Sequence, residues 1–245
     1  MMLLIVFLVV AVGALMQRIS GMGVGLIAGP VLAILLGPVE GILVINVIAF
    51  INAVVTTWTV RDRVDWKKFA LIGGALIFGI VPGALLVANT NSALLQILVG
   101  VLLLLALAVT TFAKPYIPKV EGRAPAAVSG VIGGFMNTLG GIAGPAITVY
   151  AQASRWDQRT YAATLQPIFM VAGALSFLAK VLVGAGDLSN TDPWIWPVAV
   201  VALFLGVFLG VKLEDRFSKA TARRIALSLA TLGGVTAIIR GVAAL

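Results

Sequence analysis

The sequence contains no cysteine and no histidine. Disulfides, thiolate nucleophiles, imidazole bases and the metal sites built on these ligands are therefore excluded. Acidic residues are also scarce, since nine Asp and Glu stand against seventeen Lys and Arg. All nine fall in loops or at the ends of apolar segments, with Glu40 nearest to the apolar interior. We therefore expect no enzyme, no carboxylate proton relay, no cofactor and no metal site.

Apolar residues dominate what is present. They make up 61% of the 245 residues, and the mean hydropathy is +1.12, well above the values of soluble proteins. A spanning segment must satisfy its own backbone hydrogen bonds, and the alternation typical of membrane strands is missing. The sequence therefore predicts an all-α polytopic membrane protein in a lipid bilayer, with seven long apolar helices: 1–15, 41–60, 69–88, 93–113, 160–184, 194–211 and 225–239.

The net charge of +8 is concentrated in loops. Four positive residues lie in 61–68, three in 114–123, two in 155–159 and five in 212–224. This distribution is typical of topology signals and does not indicate a nucleic-acid partner. The positive-inside rule places these four loops in the cytoplasm and both chain termini outside.

An internal repeat divides the chain. Ile27-Ala28-Gly29-Pro30 recurs as Ile142-Ala143-Gly144-Pro145, each time after a glycine-rich break. The run 75–79 is likewise matched in order by 202–206. We predict a first repeat over 1–113, a cytoplasmic linker over 114–123 and a second repeat over 124–245, together one integral membrane domain.

Each repeat is expected to contain a broken or re-entrant pair of short helices followed by three transmembrane helices. Because three is odd, the second repeat has the opposite orientation to the first. The loop charges agree, since the basic loop 61–68 corresponds to the Lys- and Arg-free loop 184–193. Inverted-topology repeats with Gly/Pro-interrupted segments at matching positions are typical of secondary transporters, whose site lies where the breaks meet.

The two breaks supply the candidate binding site. Glycine lets backbone approach a solute, and a helix that starts after each break directs free N–H groups at the gap, which suits an anion. Small residues in membrane helices also serve simply for close packing. The candidate substrate-binding residues are Arg18, Ser20, Gly21, Gly23 and Gly25 in the first break, Asn137, Thr138, Gly140 and Gly141 in the second, and Gln166.

Other polar or kinking residues carry two readings each. Pro30 and Pro145 follow the breaks, and Gln166-Pro167 marks a kink that either faces a cavity or is sealed by a neighbouring helix. Arg18 is either an anion contact or one more topology signal. Lys180 lies four residues before an outer loop, and it either extends to the membrane interface or has a functional role.

These features carry a family resemblance. A chain of about this length, two halves that open on glycine-rich breaks, the run Gly140 to Pro145, and the loop 155–159 leading into Ala162-Ala163-Thr164 resemble the TauE/SafE sulfite exporter family, also called the toluene-sulfonate uptake permeases.

The resemblance implies transport of a small sulfur-containing anion, such as sulfite, sulfoacetate or another organosulfonate, across the bacterial cytoplasmic membrane, often as export. Two alternatives stay open: a passive anion channel, and a non-transporting membrane subunit of a partner complex. The anion's identity, the direction, the coupling ion and any homo-oligomerisation are left undetermined.

Overall fold

The computed structural model describes residues 1–20, 24–112, 118–186, 191–213 and 219–245. Within these ranges the chain is helical and has no strand. The helices are α1 Met2–Ser20, α2 Val24–Leu36, α3 Pro38–Val60, α4 Trp66–Ala75, α5 Ile77–Ala88, α6 Ser92–Phe112, α7 Arg123–Gly140, α8 Gly144–Ala153, α9 Gln158–Leu182, α10 Ile195–Leu213 and α11 Lys219–Ala243, with a short 3-10 turn at Arg61–Arg63.

Seven segments of the described chain are long and apolar enough to cross a membrane. They coincide with the seven predicted helices, which confirms the all-α polytopic class. The third of them is divided, because α4 and α5 meet at Leu76 and Pro82 lies inside α5. Proline lacks the N–H that would continue the helical hydrogen bonds, so a bend in this segment is expected.

The two interrupted pairs differ from the prediction of short helices. The first helix of each pair is long, with 19 residues in α1 and 18 in α7, whereas α2 has 13 and α8 has 10. At about 1.5 Å per residue, α1 and α7 extend roughly 27–28 Å, close to the thickness of the hydrocarbon core. Each pair is therefore one nearly spanning helix that turns back into a shorter one.

The two largest apolar clusters among the described residues each combine helices from both halves of the chain. The first joins side chains of α1, α2 and α3 with Ile195, Ala199 and Leu203 of α10. The second joins side chains of α7, α8 and α9 with Ile72 of α4 and Ile80 of α5. The middle span of each half thus packs into the cluster of the other half.

The remaining large interfaces also cross between the halves. Helix α3 packs along α9, and α6 packs along α11. Helix α2 contacts α3 and α11, whereas α8 contacts α7 and α6. The first turn of α2 thereby lies against the break 141–143 between α7 and α8.

Candidate functional site

The two glycine-rich breaks meet at the first turn of α2. A Cβ atom added to Gly25 would overlap the carbonyl oxygen of Gly141, and one added to Gly29 would lie 3.3 Å from the carbonyl oxygen of Gly140. Any larger side chain at Gly25 would therefore force the two backbones apart. The predicted residues Gly25, Gly140 and Gly141 are brought together by this crossing.

The second break is a helix end followed at once by a helix start. Gly141 has a φ of 69°, in the left-handed region that glycine adopts without steric cost, and its N–H donates to the carbonyl of Asn137 at 2.8 Å. Helix α8 then begins at Gly144, with Pro145 in its first turn. Proline is favoured there because the first N–H groups of a helix have no partner within the helix.

The first break is bridged by a side chain that the sequence analysis did not select. The Oε1 of Gln17, on the last turn of α1, accepts a hydrogen bond of 2.6 Å from the N–H of Val24, the first residue of α2. A side-chain oxygen that pairs with a first-turn N–H is the usual device for starting a helix. Gly21 and Gly23 lie outside the described residues, and Ser20 is the last residue of α1.

Both helix starts line one small space, which we call the central cavity. The volume open to the centre of a water molecule is about 30 Å³. This is room for roughly two water molecules. Its lining consists of Gln17, Val24, Gly25, Leu26, Ala49, Asn137, Gly141, Ile142, Ala143, Gly144, Pro145 and Phe169.

A larger space lies elsewhere. A groove of about 630 Å³ runs between α6, α7 and α8, and its lining is apolar apart from Ser129 and Tyr150. An anion needs hydrogen-bond donors or positive charge when it leaves water, and this groove has few of either. Acyl chains of the bilayer suit it better, so the central cavity remains the candidate site.

Asn137 connects the central cavity to a buried polar network. Its Nδ2 donates to the carbonyl of Ala172 at 3.0 Å and to the Oγ of Ser176 at 3.0 Å, and lies 3.5 Å from the Oδ1 of Asn46. The Nδ2 of Asn46 is itself buried and has no hydrogen-bond partner within the described ranges. The network therefore holds an unused amide donor one contact away from the cavity.

The predicted Thr138 belongs to the same network, although it does not line the cavity. Its hydroxyl donates to the carbonyl of Gly134 at 2.9 Å and shares a hydrogen bond of 3.0 Å with Ser176. Its carbonyl accepts a hydrogen bond of 3.2 Å from the Nζ of Lys180. The expectation that Lys180 reaches the interface is wrong, because its side chain is only 1% exposed and is held at the end of α7.

The remaining predicted residues lie apart from the cavity lining. Arg18 is exposed, and its side-chain stem approaches Gly210 of α10. The Nε2 of Gln166 donates to the carbonyl of Ala162 at 3.3 Å, while its Oε1 is buried without a described partner. Pro30 and Pro167 are buried inside α2 and α9. Whether any of these residues touches a substrate stays a prediction.

Comparison with known proteins decides the family. The model of the sulfite exporter TauE/SafE family matches residues 5–237. The chain belongs to the TauE/SafE family. Similarity extends to the probable sulfite/organosulfonate exporter TauE of Cupriavidus necator, 23% identical over 222 residues that cover 89% of this chain and 86% of the relative. No solved structure matches the chain.

Membership of the TauE/SafE family agrees with the seven described segments that are long and apolar enough to cross a membrane. It confirms the family resemblance that the glycine-rich runs indicated. The chain is a multi-pass membrane protein of a transporter family. The match includes both breaks and the whole polar network, so the central cavity lies within the part of the chain that carries the family pattern.

Proposed function

We propose that this protein is a secondary transporter that moves a small sulfur-containing anion, such as sulfite, sulfoacetate or another organosulfonate, across the bacterial cytoplasmic membrane. The observation that carries the proposal is the meeting of both glycine-rich breaks at the central cavity. Two helix starts, at Val24 and Gly144, border this one space. Interrupted helices that meet between two halves of a transporter are the usual place of its substrate site.

The chemistry of the cavity suits an anion. Helix starts present unpaired N–H groups and the positive end of the helix dipole. The unpartnered Nδ2 of Asn46, beside Asn137, adds an amide donor one contact away from the cavity. No carboxylate is found in the described lining of the cavity. The sulfonate and sulfite groups present several acceptor oxygens, which match this set of donors.

The inverted repeat is supported by how equivalent residues pack. Gly79 and Gly83 of α5 lie against α7, where added Cβ atoms would meet Val131 and Thr138. Their sequence equivalents, Gly206 and Gly210 of α10, lie against α1 in the same way, at Ala11 and Arg18. The two mixed apolar clusters show the same exchange of helices. We infer that the halves are related by an axis in the membrane plane.

We propose an alternating-access mechanism, which this arrangement supports. The central cavity is too small for a four-atom oxyanion with its hydration shell, so loading requires the helices around it to separate. We propose that the two repeats rock about the crossing of Gly25 with Gly141, which exposes the cavity to one side at a time. The relative is described as an exporter, and we propose the same direction here, with both termini outside.

The test is transport by purified protein in liposomes. Sulfoacetate is the main reporter, because sulfite exchanges with neutral sulfur dioxide, which crosses lipid unaided. Saturable uptake that is accelerated by the same anion inside the vesicle is expected, with competition by sulfite and thiosulfate and none by an unrelated carboxylate. Flux that does not saturate and shows no counterflow would indicate a channel, and no flux with stable copurification of a partner would indicate a subunit.

A matched pair of variants links the flux to the cavity. Asn137→Leu removes the amide that lines the cavity, whereas Asn89→Leu makes the same change at an exposed position after α5. We expect the first to reduce flux at least tenfold and the second to leave it unchanged. Equal flux in the two variants, at equal amounts of folded protein, would remove the central cavity from the mechanism.

A further inference from the structure

Lys180, in the last turn of α9, is a basic side chain buried inside the protein. It is 1% exposed, and among the described residues it is the one Lys, Arg, Asp or Glu that is buried. Transfer of an ammonium group into such surroundings is costly, and charged residues inside membrane segments usually serve substrate or ion pathways. A lysine that only filled space here would be replaced at less cost by methionine or leucine.

Among the residues that the structure describes, Lys180 does not use all of its hydrogen-bond donors. An ammonium group has three donors, and the one described hydrogen bond of Nζ goes to the carbonyl of Thr138 at 3.2 Å. Glu40, in the first turn of α3, acts on it electrostatically. No described ion pair with an N–O distance of 4.0 Å or less includes Lys180. Within the described residues, the ammonium group therefore has donors left for an anion.

A continuous line of polar contacts joins Lys180 to the central cavity. The ammonium group contacts the carbonyl of Thr138, the hydroxyl of Thr138 contacts Ser176, and Ser176 accepts from Asn137, which lines the cavity. All four side chains are buried. Within the described structure, Lys180 is the basic side chain at the end of this line of buried contacts.

Lys180 also borders a second space, on the side of α7 that faces α3, α5 and α6. Its neighbours there include Pro38, Val87, Val99 and Thr138. The space does not admit a water-sized sphere in this conformation. Five helices meet at this closed seam, so their separation would open a path from the cavity past Lys180 toward the N-terminal end of α3.

We propose that Lys180 is an anion-binding residue of the transport pathway. An anion that leaves the central cavity through this seam takes the place of the Thr138 carbonyl as the partner of the ammonium group. The inference rests on the proposed function and names the residue that selects for negative charge. A purely structural lysine would instead cap the carbonyl end of α7, which needs a hydrogen-bond donor but not a charge.

Three substitutions separate charge from hydrogen bonding. Lys180→Met keeps a similar side-chain length and removes both the charge and the hydrogen-bond donor. Lys180→Gln keeps a donor for the Thr138 carbonyl but removes the charge. Lys180→Arg keeps the charge. Arg240→Met is the control, since it removes one positive charge from an exposed side chain on α11. The measurements are sulfoacetate counterflow and the sulfoacetate concentration that gives half of the maximal thermal stabilisation in detergent.

We expect Lys180→Met and Lys180→Gln both to raise this sulfoacetate concentration at least tenfold and to lower flux by a similar factor. Lys180→Arg is expected to remain stabilised by sulfoacetate, and Arg240→Met is expected to behave like wild type. If Lys180→Gln binds sulfoacetate as wild type does, the residue is a helix cap and the proposal is overturned. Lys180→Gln also decides the question if Lys180→Met does not fold.

The same panel separates this inference from the proposed function. A wild-type protein that ignores all sulfur anions but is stabilised by another anion, through Lys180, would overturn the proposed substrate and support the role of Lys180. If sulfoacetate stabilises wild type, Lys180→Met and Lys180→Gln equally, the proposed substrate is supported and the role of Lys180 is overturned. Wild-type protein that responds to no anion would overturn both.

Discussion

Asn137 connects the wall of the central cavity to two neighbouring helices, α3 and α9. Its single amide group contacts a carbonyl of α9, a hydroxyl of α9 and the Asn46 amide of α3. Because these partners lie in the membrane interior, each of them would lose a hydrogen bond if Asn137 were removed, and water is scarce there to replace it. The side chain therefore fixes the end of α7 against two other helices.

This leads to a prediction about coupling between Asn137 and Ser176. Removing either partner breaks the hydrogen bond of 3.0 Å between them, so the second removal costs less than the first. A double-mutant cycle of Asn137→Leu and Ser176→Ala, followed by unfolding in detergent, is expected to give a coupling free energy of about 0.5–1.5 kcal/mol. Strict additivity would show that the contact contributes nothing to stability.

Gly25 supports a second prediction at this scale. A Cβ at this position overlaps the carbonyl of Gly141, so Gly25→Ala must displace backbone and should cost about 1–3 kcal/mol, with loss of flux. Gly74→Ala is the matched control, because no atom lies within 4 Å of its added Cβ. Thermal unfolding and counterflow of both variants test this. Equal stability of the two alanine variants would contradict the close approach.

The sequence indicates the glycines of the candidate cavity more directly than the polar network beside it. A glycine run followed by proline is visible as a pattern, and Gly25, Gly141 and Pro145 all line the cavity. A serine in an apolar helix has no such pattern, so Ser176 was not selected. Lys180 was expected at the interface from its distance along α9 alone. The reach of a side chain depends on which helices cover it, and those are not neighbours in sequence.

Gln17 is an instructive omission. It stands directly before the first break, in the position from which a polar side chain can pair with the first N–H groups of the next helix. That signal was present in the sequence. The neighbouring Arg18 is the more prominent candidate by its charge, but its stem packs near Gly210.

At the scale of elements, α9 begins with a capping carboxylate. Asp157 accepts hydrogen bonds from the N–H of Thr160 at 2.9 Å and from its hydroxyl at 3.0 Å. The backbone hydrogen bond first, and then the side-chain one, lower the pKa of Asp157 below its usual 3.8. The cap therefore favours the ionised carboxylate.

The linkage gives a pH-dependent prediction. Because the pKa in the folded state is lowered, the stabilisation is present above pH 3.8 and is lost as the pH falls through the lower folded value. Asp157→Ala should be less stable than wild type at pH 7, and the difference should shrink as the solution is acidified below 3.8. Thermal unfolding at both pH values tests this, with Asp157→Asn as a cap that does not titrate.

The spans were the most predictable elements, because length and hydropathy decide them. The division of one span into α4 and α5 was not predicted, although Pro82 is present in the sequence. The lengths of the paired helices were also misjudged: α1 and α7 continue close to a full crossing. A glycine-rich stretch permits a break without stating at which residue the helix stops.

For the whole molecule, the loop charges predict which side each loop faces, and the lack of cysteine makes this simple to measure. Single cysteines at Asn91 and Leu245 are expected to react with a membrane-impermeant maleimide in intact cells. Cysteines at Lys67 and Lys119 are expected to react only after the membrane is opened. The cysteine-free parent is the control. Labelling of the basic loops in intact cells would invert the proposed orientation.

The interleaving of the halves has a consequence for biosynthesis. Helices α1, α3 and α6 find their largest partners in α10, α9 and α11, which the ribosome makes much later. The nascent first half must therefore wait in the membrane with its small-residue faces exposed to lipid or to the insertion machinery. A chain that stops after the first half would lack these partners, and we expect the cell's membrane proteases to degrade it.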